Sequence, residues 1–201
     1  KLLFLYLTFI HTLCARPVSY VGGWTFMTYN NYDSNSALLH YSPKSKYSIG
    51  YKSEYWQKKE YFLNSINLNY LIKRINKKRS QANVYVKSGL GIISSDYANY
   101  ENKNEVAGHL EISTDWETRR YFISYLSKAI KSESIDNTYM QKARFGIAPY
   151  IADYGKLHSW IMCALKHMPE TEDTITPEVI LRLFKSTNLV EIGIDRKRNL
   201  A

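Results

Sequence analysis

Near the middle of the chain, polar residues that can take part in proton transfer recur at every second position: His109, Glu111, Ser113 and Asp115. Side chains two residues apart on a β-strand point to the same face. A strand here would therefore place an imidazole, a hydroxyl and a carboxylate on one face, and these are the groups that a serine hydrolase uses. Such a triad must also converge in space, and no G-x-S-x-G motif accompanies these residues. A hydrogen-bonded network of His109, Ser113 and Asp115 is the alternative interpretation.

Metal and cofactor chemistry has weaker support in the sequence. The chain has no H-x-x-x-H pair and no cluster of cysteine and histidine; His158 and His167 are nine positions apart. Asp96 and Glu101 lie in a polar stretch without the ordered oxygen spacing of a calcium-binding loop. The glycines of Gly89–Gly91 are too few for a phosphate-binding motif. We therefore predict no metal site and no cofactor.

The overall composition points to strands and away from nucleic acid. The chain has 201 residues, a length that fits one domain. Its formal charge is +9, but Lys and Arg are scattered among aromatic residues and form no basic helix or patch. Nucleic acid is therefore not an expected partner. The 18 tyrosines, 4 tryptophans and 7 phenylalanines favour β-strands, and Tyr and Trp also suit a membrane–water interface.

The first residues of the chain have the features of a secretory signal peptide. Lys1 precedes an apolar run, and Ala15 supplies the small residue of a cleavage site. We predict that residues 1–15 are a signal peptide, so that the mature chain is exported; a short buried strand or helix is the alternative. Cys14 would leave with this segment. Cys163 alone could form neither an intramolecular disulfide nor a cysteine-based zinc site.

Alternation of apolar and polar residues predicts eleven β-strands. In the stretch 47–56, Tyr47, Ile49, Tyr51 and Tyr55 share one face, whereas the other face is polar. Ten further segments are expected to be strands, although the segment at 157–165 is apolar on both faces. The predicted strands cover residues 24–32, 36–42, 47–56, 65–73, 82–93, 106–116, 120–128, 141–150, 157–165, 178–183 and 189–194.

Several features of these segments favour a membrane barrel. Many have the 9–11 residues with which a tilted strand crosses a bilayer, and many end in Tyr or Trp. Compact connections alternate with mostly longer ones, as periplasmic turns alternate with extracellular loops. We therefore predict an all-β fold, an antiparallel up-and-down transmembrane β-barrel of about 11–12 strands. A soluble exported β-barrel or sandwich that binds a small apolar ligand is the alternative.

The direction of the apolar faces decides which residues line the interior. If these faces point into lipid, the polar faces enclose a charged lumen, which forms ion-pair networks or a narrow aqueous path. The residues predicted to line this lumen are Lys52, Glu54, Asn67, Asn69, Lys87, His109, Glu111, Asp115, Arg120, Lys142, Arg144, Arg182 and Glu191.

Several stretches of the sequence together resemble a family of small proteobacterial proteins of uncharacterised function. The sequences of that family indicate exported outer-membrane β-barrels. The similarity covers Arg16 to Ile194 and implies a fold class and a location, but no activity, ligand or reactive residue. It rests on the strings RPVSYVGGWTFM, LHYSPKSKYSIGYKSEYW, LNYLIKRINKKRSQANVYVKSGLG, DWETRRYFISY, MQKARFGIAPYIADYGKLHSW and RLFKSTNLVEIGI.

The resemblance also leads us to expect a final strand that this chain lacks or has in altered form. We assign the barrel to residues 16–194 and expect residues 195–201 to be a basic tail outside it. Eleven strands cannot close an even-numbered antiparallel barrel. A truncated or frameshifted end is one explanation, and a miscounted segment is the other.

The expected function follows from the fold class. We predict a barrel of the Gram-negative outer membrane, of structural or narrow-channel type and without an enzymatic site. Its expected partners are outer-membrane lipid, lipopolysaccharide and, during insertion, the barrel-assembly machinery. The alternatives are the soluble ligand-binding barrel and a barrel-embedded lipid hydrolase that uses His109.

Overall fold

The structure, a computed structural model, describes residues 16–97, 102–153, 155–170 and 172–196. These residues form an all-β fold. They include no helix with the length and apolarity to cross a membrane. The strands are β1 (Gly23–Asn30), β2 (Ser34–Lys44), β3 (Tyr47–Trp56), β4 (Tyr61–Lys77), β5 (Ser80–Ser95), β6 (Lys103–Thr118), β7 (Tyr121–Lys131), β8 (Asn137–Ile147), β9 (His158–Met168), β10 (Glu172–Lys185) and β11 (Asn188–Asp195).

The strands form one antiparallel up-and-down sheet that curves into a half-barrel. Each strand pairs with its neighbours in sequence, in the order β1 to β11. Over the described ranges, β1 pairs with β2 alone and β11 with β10 alone. Local polar contacts shape the turns: the Asn31 side chain accepts hydrogen bonds from the backbone N–H groups of Asp33 and Ser34 and so closes the β1–β2 turn.

The two faces of the sheet differ as the alternation predicts. On β3, Ser48 and Glu54 are buried, whereas Ile49 and Tyr51 are exposed. The buried face is the concave one, because Lys128 of β7 reaches Glu54 of β3 over a distance of 2.8 Å although three strands separate them. The convex face therefore carries the apolar side chains, and the polar side chains are enclosed.

Apolar clusters cover both ends of the concave face. We call the end with the β1–β2, β3–β4, β5–β6, β7–β8 and β9–β10 connections the Asp136 end, and the opposite one the Arg16 end. Trp56, Tyr61 and Ile135 belong to a buried cluster at the Asp136 end. A second cluster, with Phe122, Trp160 and Met162, lies towards the Arg16 end. The ion pair of Lys128 and Glu54 lies between these apolar layers.

The residues that precede β1 fill part of the interior at the Arg16 end. Val18 is buried against Leu71 and Tyr85. Arg16 donates hydrogen bonds to Gln81 and Glu117 on β5 and β6. We call the segment 16–19 the N-terminal plug, because its contacts reach β2, β3, β5 and β6.

The eleven predicted strands are confirmed, with shifts at their ends. β3 has the predicted bounds, whereas β4 is longer at both ends than the predicted 65–73. The ninth strand is apolar on both faces, with Met162 enclosed and Ile161 exposed. The predicted barrel boundary at residue 194 falls within β11, which ends at Asp195. The predicted signal peptide (1–15) and most of the predicted tail (197–201) lie outside the described residues.

Candidate functional site

The structure places every predicted lumen residue except Arg120 on the concave face. Within the strands, these residues alternate with the exposed apolar ones. Glu54 and Lys128 are 3% and 6% exposed, so their charges are almost fully removed from water. Asn67 and Asn69 are also buried. The enclosed face is therefore built from charged and amide side chains, as the alternation predicts.

Arg120 lies elsewhere, in the turn between β6 and β7, where it is exposed. The Thr118 hydroxyl accepts hydrogen bonds from the backbone N–H groups of Arg120 and Tyr121. This cap ends β6 at Thr118 and begins β7 at Tyr121, so that Arg120 belongs to neither strand. The predicted lumen position of Arg120 is wrong because the alternation of apolar and polar residues in β7 continues one residue further, into the turn that precedes the strand.

The central part of the concave face is an ion-pair network. Glu54 accepts hydrogen bonds from Lys52 at 2.6 Å and from Lys128 at 2.8 Å. Lys87 of β5 pairs with Glu111 of the adjacent β6. Since Lys128 belongs to β7 and Glu54 to β3, this network links opposite walls of the half-barrel and occupies the space between them.

A second network covers β8 to β11. Glu178 pairs with Lys142 and lies 3.8 Å from Lys166, which also pairs with Asp33 of the β1–β2 turn at 2.6 Å. The last pair brings the β1–β2 turn against the ninth strand. On the same side, Glu191 accepts from Arg144 and from Arg182, whose guanidinium lies 4.3 Å from the centre of the Phe122 ring.

The charge state of Asp33 follows from its partners. Burial raises the pKa of the Asp33 carboxyl, but the hydrogen bond and charge of Lys166, together with the charge of Lys58, outweigh burial and hold the pKa below its ordinary value. Asp33 is therefore ionised at neutral pH. The stability that it contributes is present above its unfolded pKa and is lost as the pH falls through its lower folded pKa.

Two buried histidines occupy one row of paired residues across five strands. The row runs His40, Gly50, Asn67, Gly89, His109 from β2 to β6. His40 is fully buried, and within the described part of the chain neither of its ring nitrogens has a hydrogen-bond partner. A Cβ atom on Gly89 would lie 2.2 Å from Cε1 of His109, so this glycine provides the space for the imidazole.

The two glycines of this row, Gly89 and Gly50, should respond differently to substitution by alanine. Gly89→Ala should lower the free energy of unfolding by about 1–3 kcal/mol because the new methyl group collides with the His109 ring. In a His109→Ala background the same substitution should cost much less, because the atoms nearest to the new Cβ are side-chain atoms. The measurement is urea unfolding of the refolded protein, analysed as a double-mutant cycle.

Gly50 supplies the matched control for this cycle. A Cβ atom there would lie 2.3 Å from the backbone oxygen of Leu39 as well as 2.5 Å from Cβ of His40. His40→Ala removes neither atom, so it should not relieve the cost of Gly50→Ala. Equal relief at both positions, or none at Gly89, would contradict the geometry of this row.

The catalytic interpretation of His109 gains no support from the observed contacts. Asp115 accepts a hydrogen bond from the Asn83 amide at 2.7 Å. In the described ranges, no hydrogen bond joins His109 to Ser113 or Asp115, and Nδ1 of His109 is buried without a partner. The same ranges hold no group of three or more His, Cys, Asp and Glu residues arranged for a metal ion.

Several interior residues were absent from the predicted set. Lys128 and Glu178 lie on the enclosed face of their strands, and their alternation with apolar neighbours was a usable signal. Asp136, which accepts hydrogen bonds from Lys59 and Tyr61, gave no such signal, because it lies in a loop. Tyr61 and Asp136 are 75 positions apart in sequence, and a contact over that separation cannot be predicted from a local pattern.

Comparisons with known proteins assign neither a family nor a function to this chain. A scan of family models and searches of curated proteins and of solved structures find no match to this chain. The geometry itself shows an enclosed face filled by paired charges and a convex face covered by apolar side chains.

Proposed function

We propose that this protein is an integral β-barrel of a bacterial outer membrane, with a filled interior and an anchoring or structural role in the envelope. The observation that carries this proposal is the distribution of side chains over the sheet. Apolar residues cover the convex face of each strand, where Ile66, Leu90 and Val106 are each more than two-thirds exposed. A patch that extends around a whole sheet is far larger than the apolar patches of soluble monomers.

Aromatic pairs at both ends of the convex face support a membrane location. The rings of Trp24 and Tyr41 lie 5.0 Å apart at the Arg16 end, and those of Tyr55 and Phe62 lie 4.6 Å apart at the Asp136 end. On β3, Tyr47 and Tyr55 are separated by about 26 Å along the strand, or about 20 Å along the membrane normal at a tilt of about 40°. Barrel strands in lipid carry aromatic girdles at comparable positions.

A membrane location requires that the two sheet edges be paired. An unpaired backbone N–H or C=O group in lipid costs several kcal/mol, so the outer edges of β1 and β11 each need a partner, and a seam between these two strands is one way to supply it. In an up-and-down sheet all odd-numbered strands run in the same direction, and this seam would therefore be parallel. Odd-numbered barrels do occur in mitochondrial outer membranes. The proximity of the β1–β2 turn to β9, through Asp33 and Lys166, supports closure.

The filled interior favours a structural role over solute passage. The Lys128–Glu54 pair joins opposite walls, and the N-terminal plug packs against Leu71 and Tyr85 at the Arg16 end. A wide pore would leave these groups solvated and apart. An enclosed face rich in ion pairs also argues against a soluble barrel that stores a small apolar ligand.

Fractionation and electrophysiology test this proposal. Produced with its own first residues in a Gram-negative host, the protein should stay in the outer membrane during carbonate extraction and should require detergent for release. In a planar lipid bilayer the refolded protein should give no stable conductance steps, whereas Glu54→Ala combined with Lys128→Ala should create them. A detergent-free soluble fraction would contradict the membrane location, and steady conductance of the unaltered protein would contradict the structural role.

A further inference from the structure

Exposed cationic side chains surround the Arg16 end of the half-barrel. Each of the five connections at this end presents at least one exposed Lys or Arg, within the connection or at the strand end beside it. In the sequence these residues are scattered, and they come together because every second connection of an up-and-down sheet lies at the same end. We call them the cationic rim; from β2 to β11 they include Lys46, Lys78, Arg120, Lys156 and Lys185.

Acidic side chains do not balance the cationic rim. Within the described residues of the same connections, Asp153 is the one exposed acid, and the nearby Glu117 is half-buried and pairs with Arg16. Residues 77–79 in the β4–β5 hairpin are Lys, Lys and Arg, all exposed, and they form no ion pair with any described residue. Their charge is therefore available to an anionic partner outside the protein.

The opposite end of the half-barrel has a different charge distribution. Over the described residues, the exposed side chains of the Asp136 end carry both signs, with Lys58, Lys103 and Lys131 beside Glu60, Asp96, Glu133 and Glu170. The positive charge of the surface is thus concentrated at the Arg16 end. A partner that recognises charge would bind at that end and would orient the protein along the barrel axis.

The cationic rim lies next to the aromatic residues of the convex face. Lys46 immediately precedes Tyr47 on β3, and Arg120 immediately precedes Tyr121, which begins β7 and is 43% exposed. Tyr and Trp of membrane proteins lie at the level of the lipid headgroups, so cations one residue further out lie beside the phosphates. The rim follows this level from β2 to β11, which suits a membrane surface, whereas a soluble polyanion would need a compact patch or groove.

The longest connection at this end combines apolar and cationic side chains. Tyr150, Ile151 and Leu157 are exposed on the β8–β9 connection, next to the exposed Lys156. The boundary between headgroups and acyl chains accommodates both kinds of side chain together. The other four connections have two residues each, so their cations stay close to the ends of the strands.

We propose that the cationic rim docks on the headgroups of anionic phospholipids in the leaflet around the Arg16 end. This inference rests on the membrane location proposed above and adds to it a lipid class and an orientation. Compact connections are typical of the periplasmic side of a barrel, so the phospholipids belong to the inner leaflet of the outer membrane. Each Lys or Arg near an anionic surface adds to the attraction, which decays within a Debye length.

Tryptophan quenching measures the lipid preference of this end. Trp24 and Trp116 are exposed towards the Arg16 end, whereas Trp56 and Trp160 are buried. The refolded protein is inserted into vesicles of brominated phosphatidylcholine, because bromine quenches the fluorescence of tryptophans that contact lipid. Part of this lipid is then replaced by unbrominated phosphatidylglycerol, phosphatidylcholine or lipopolysaccharide. A replacement lipid that gathers around the Arg16 end relieves the quenching by more than simple dilution does.

Phosphatidylglycerol should be preferred over phosphatidylcholine about fivefold at low ionic strength, as expected for one added cation contact per lipid. The preference should fall below about twofold in about 1 M NaCl, where the Debye length is about 3 Å. Lipopolysaccharide should relieve the quenching less than phosphatidylglycerol does, because it belongs to the opposite leaflet.

Two pairs of substitutions locate the effect on the protein. In a Trp24→Phe background the exposed reporter is Trp116, which pairs with Ala82 of β5 and so lies beside the β4–β5 turn. Lys78→Gln combined with Arg79→Gln should lower the preference that Trp116 reports by at least about twofold. The matched control, Lys103→Gln combined with Lys131→Gln, removes the same charge from exposed positions of the Asp136 end and should leave the preference unchanged.

Several results would overturn the docking proposal while the membrane location stands. They are equal relief by phosphatidylglycerol and phosphatidylcholine, a preference that salt does not weaken, and equal losses in the two double variants. Stronger relief by lipopolysaccharide than by phosphatidylglycerol would assign the Arg16 end to the outer leaflet and would overturn the proposal as well. If brominated phosphatidylcholine quenches no tryptophan at all, the membrane location itself is wrong, and the docking proposal is wrong with it.

Discussion

Glu54→Gln is expected to lower the free energy of unfolding by about 3–5 kcal/mol. Glu54 is 3% exposed and is the shared partner of Lys52 and Lys128. Glutamine keeps the shape of the side chain but leaves two ammonium groups of the enclosed face without their direct ion-pair partner. Removing one member of a buried ion pair costs far more than the pair contributes, because the remaining charge is desolvated. Urea unfolding of the protein in lipid vesicles, followed by tryptophan fluorescence, gives the value.

The control for Glu54 uses the same substitution at an exposed pair. Glu117 pairs with Arg16 at 3.0 Å, and the side chains of Arg16 and Glu117 are 42% and 33% exposed. Glu117→Gln should change the stability by no more than about 1 kcal/mol, as is usual for solvated pairs.

A double-mutant cycle tests the Lys128–Glu54 pair. It needs Lys128→Met and the double variant that combines it with Glu54→Gln. Lys128→Met alone leaves Glu54 with Lys52 as its partner and should cost less than Glu54→Gln. The double variant should recover part of the loss, because one of the two unpaired cations is removed. If Glu54→Gln costs no more than Glu117→Gln, the interior is hydrated and the filled-barrel proposal is wrong.

Ile66→Arg is the substitution with the second large expected effect. Its stability cost distinguishes a convex face that contacts lipid from one that contacts water. Ile66 lies on β4 between Tyr51 and Leu90 and is 69% exposed. In a bilayer, an arginine at mid-depth on the lipid face of a barrel costs about 2–4 kcal/mol. In water, a substitution at such an exposed position changes stability by about 0.5 kcal/mol or less.

Ile75 provides the comparison on the same strand. It is also exposed and faces outward, but it lies beyond the aromatic residues Tyr47 and Tyr70 towards the Arg16 end. Ile75→Arg should cost only about 0–1 kcal/mol in lipid, since the penalty falls towards the interface. Unfolding in lipid vesicles measures both variants. Small and equal costs at the two positions would show that this face does not meet acyl chains.

Much of the architecture could be predicted from the sequence because it depends on local alternation. In a strand with one apolar and one polar face, apolar residues recur at every second position. This is why the bounds of β3 and the number of strands could be predicted. The inward orientation of Lys52, Lys87 and Arg144 followed from the same period. The ends were less accurate where a turn residue such as Arg120 happened to continue the alternation.

The tertiary structure alone decided which of these residues meet. A period of two places Lys128 and Glu54 on enclosed faces, but it does not say that curvature brings them within 2.8 Å of each other. Likewise, only the fold places Asp33 against Lys166, collects Asp136 and Trp56 around one cavity, and packs Val18 into the interior. The physical reason is that the sequence pattern determines the face of a side chain, whereas the curvature and stagger of the sheet determine its partners across the interior.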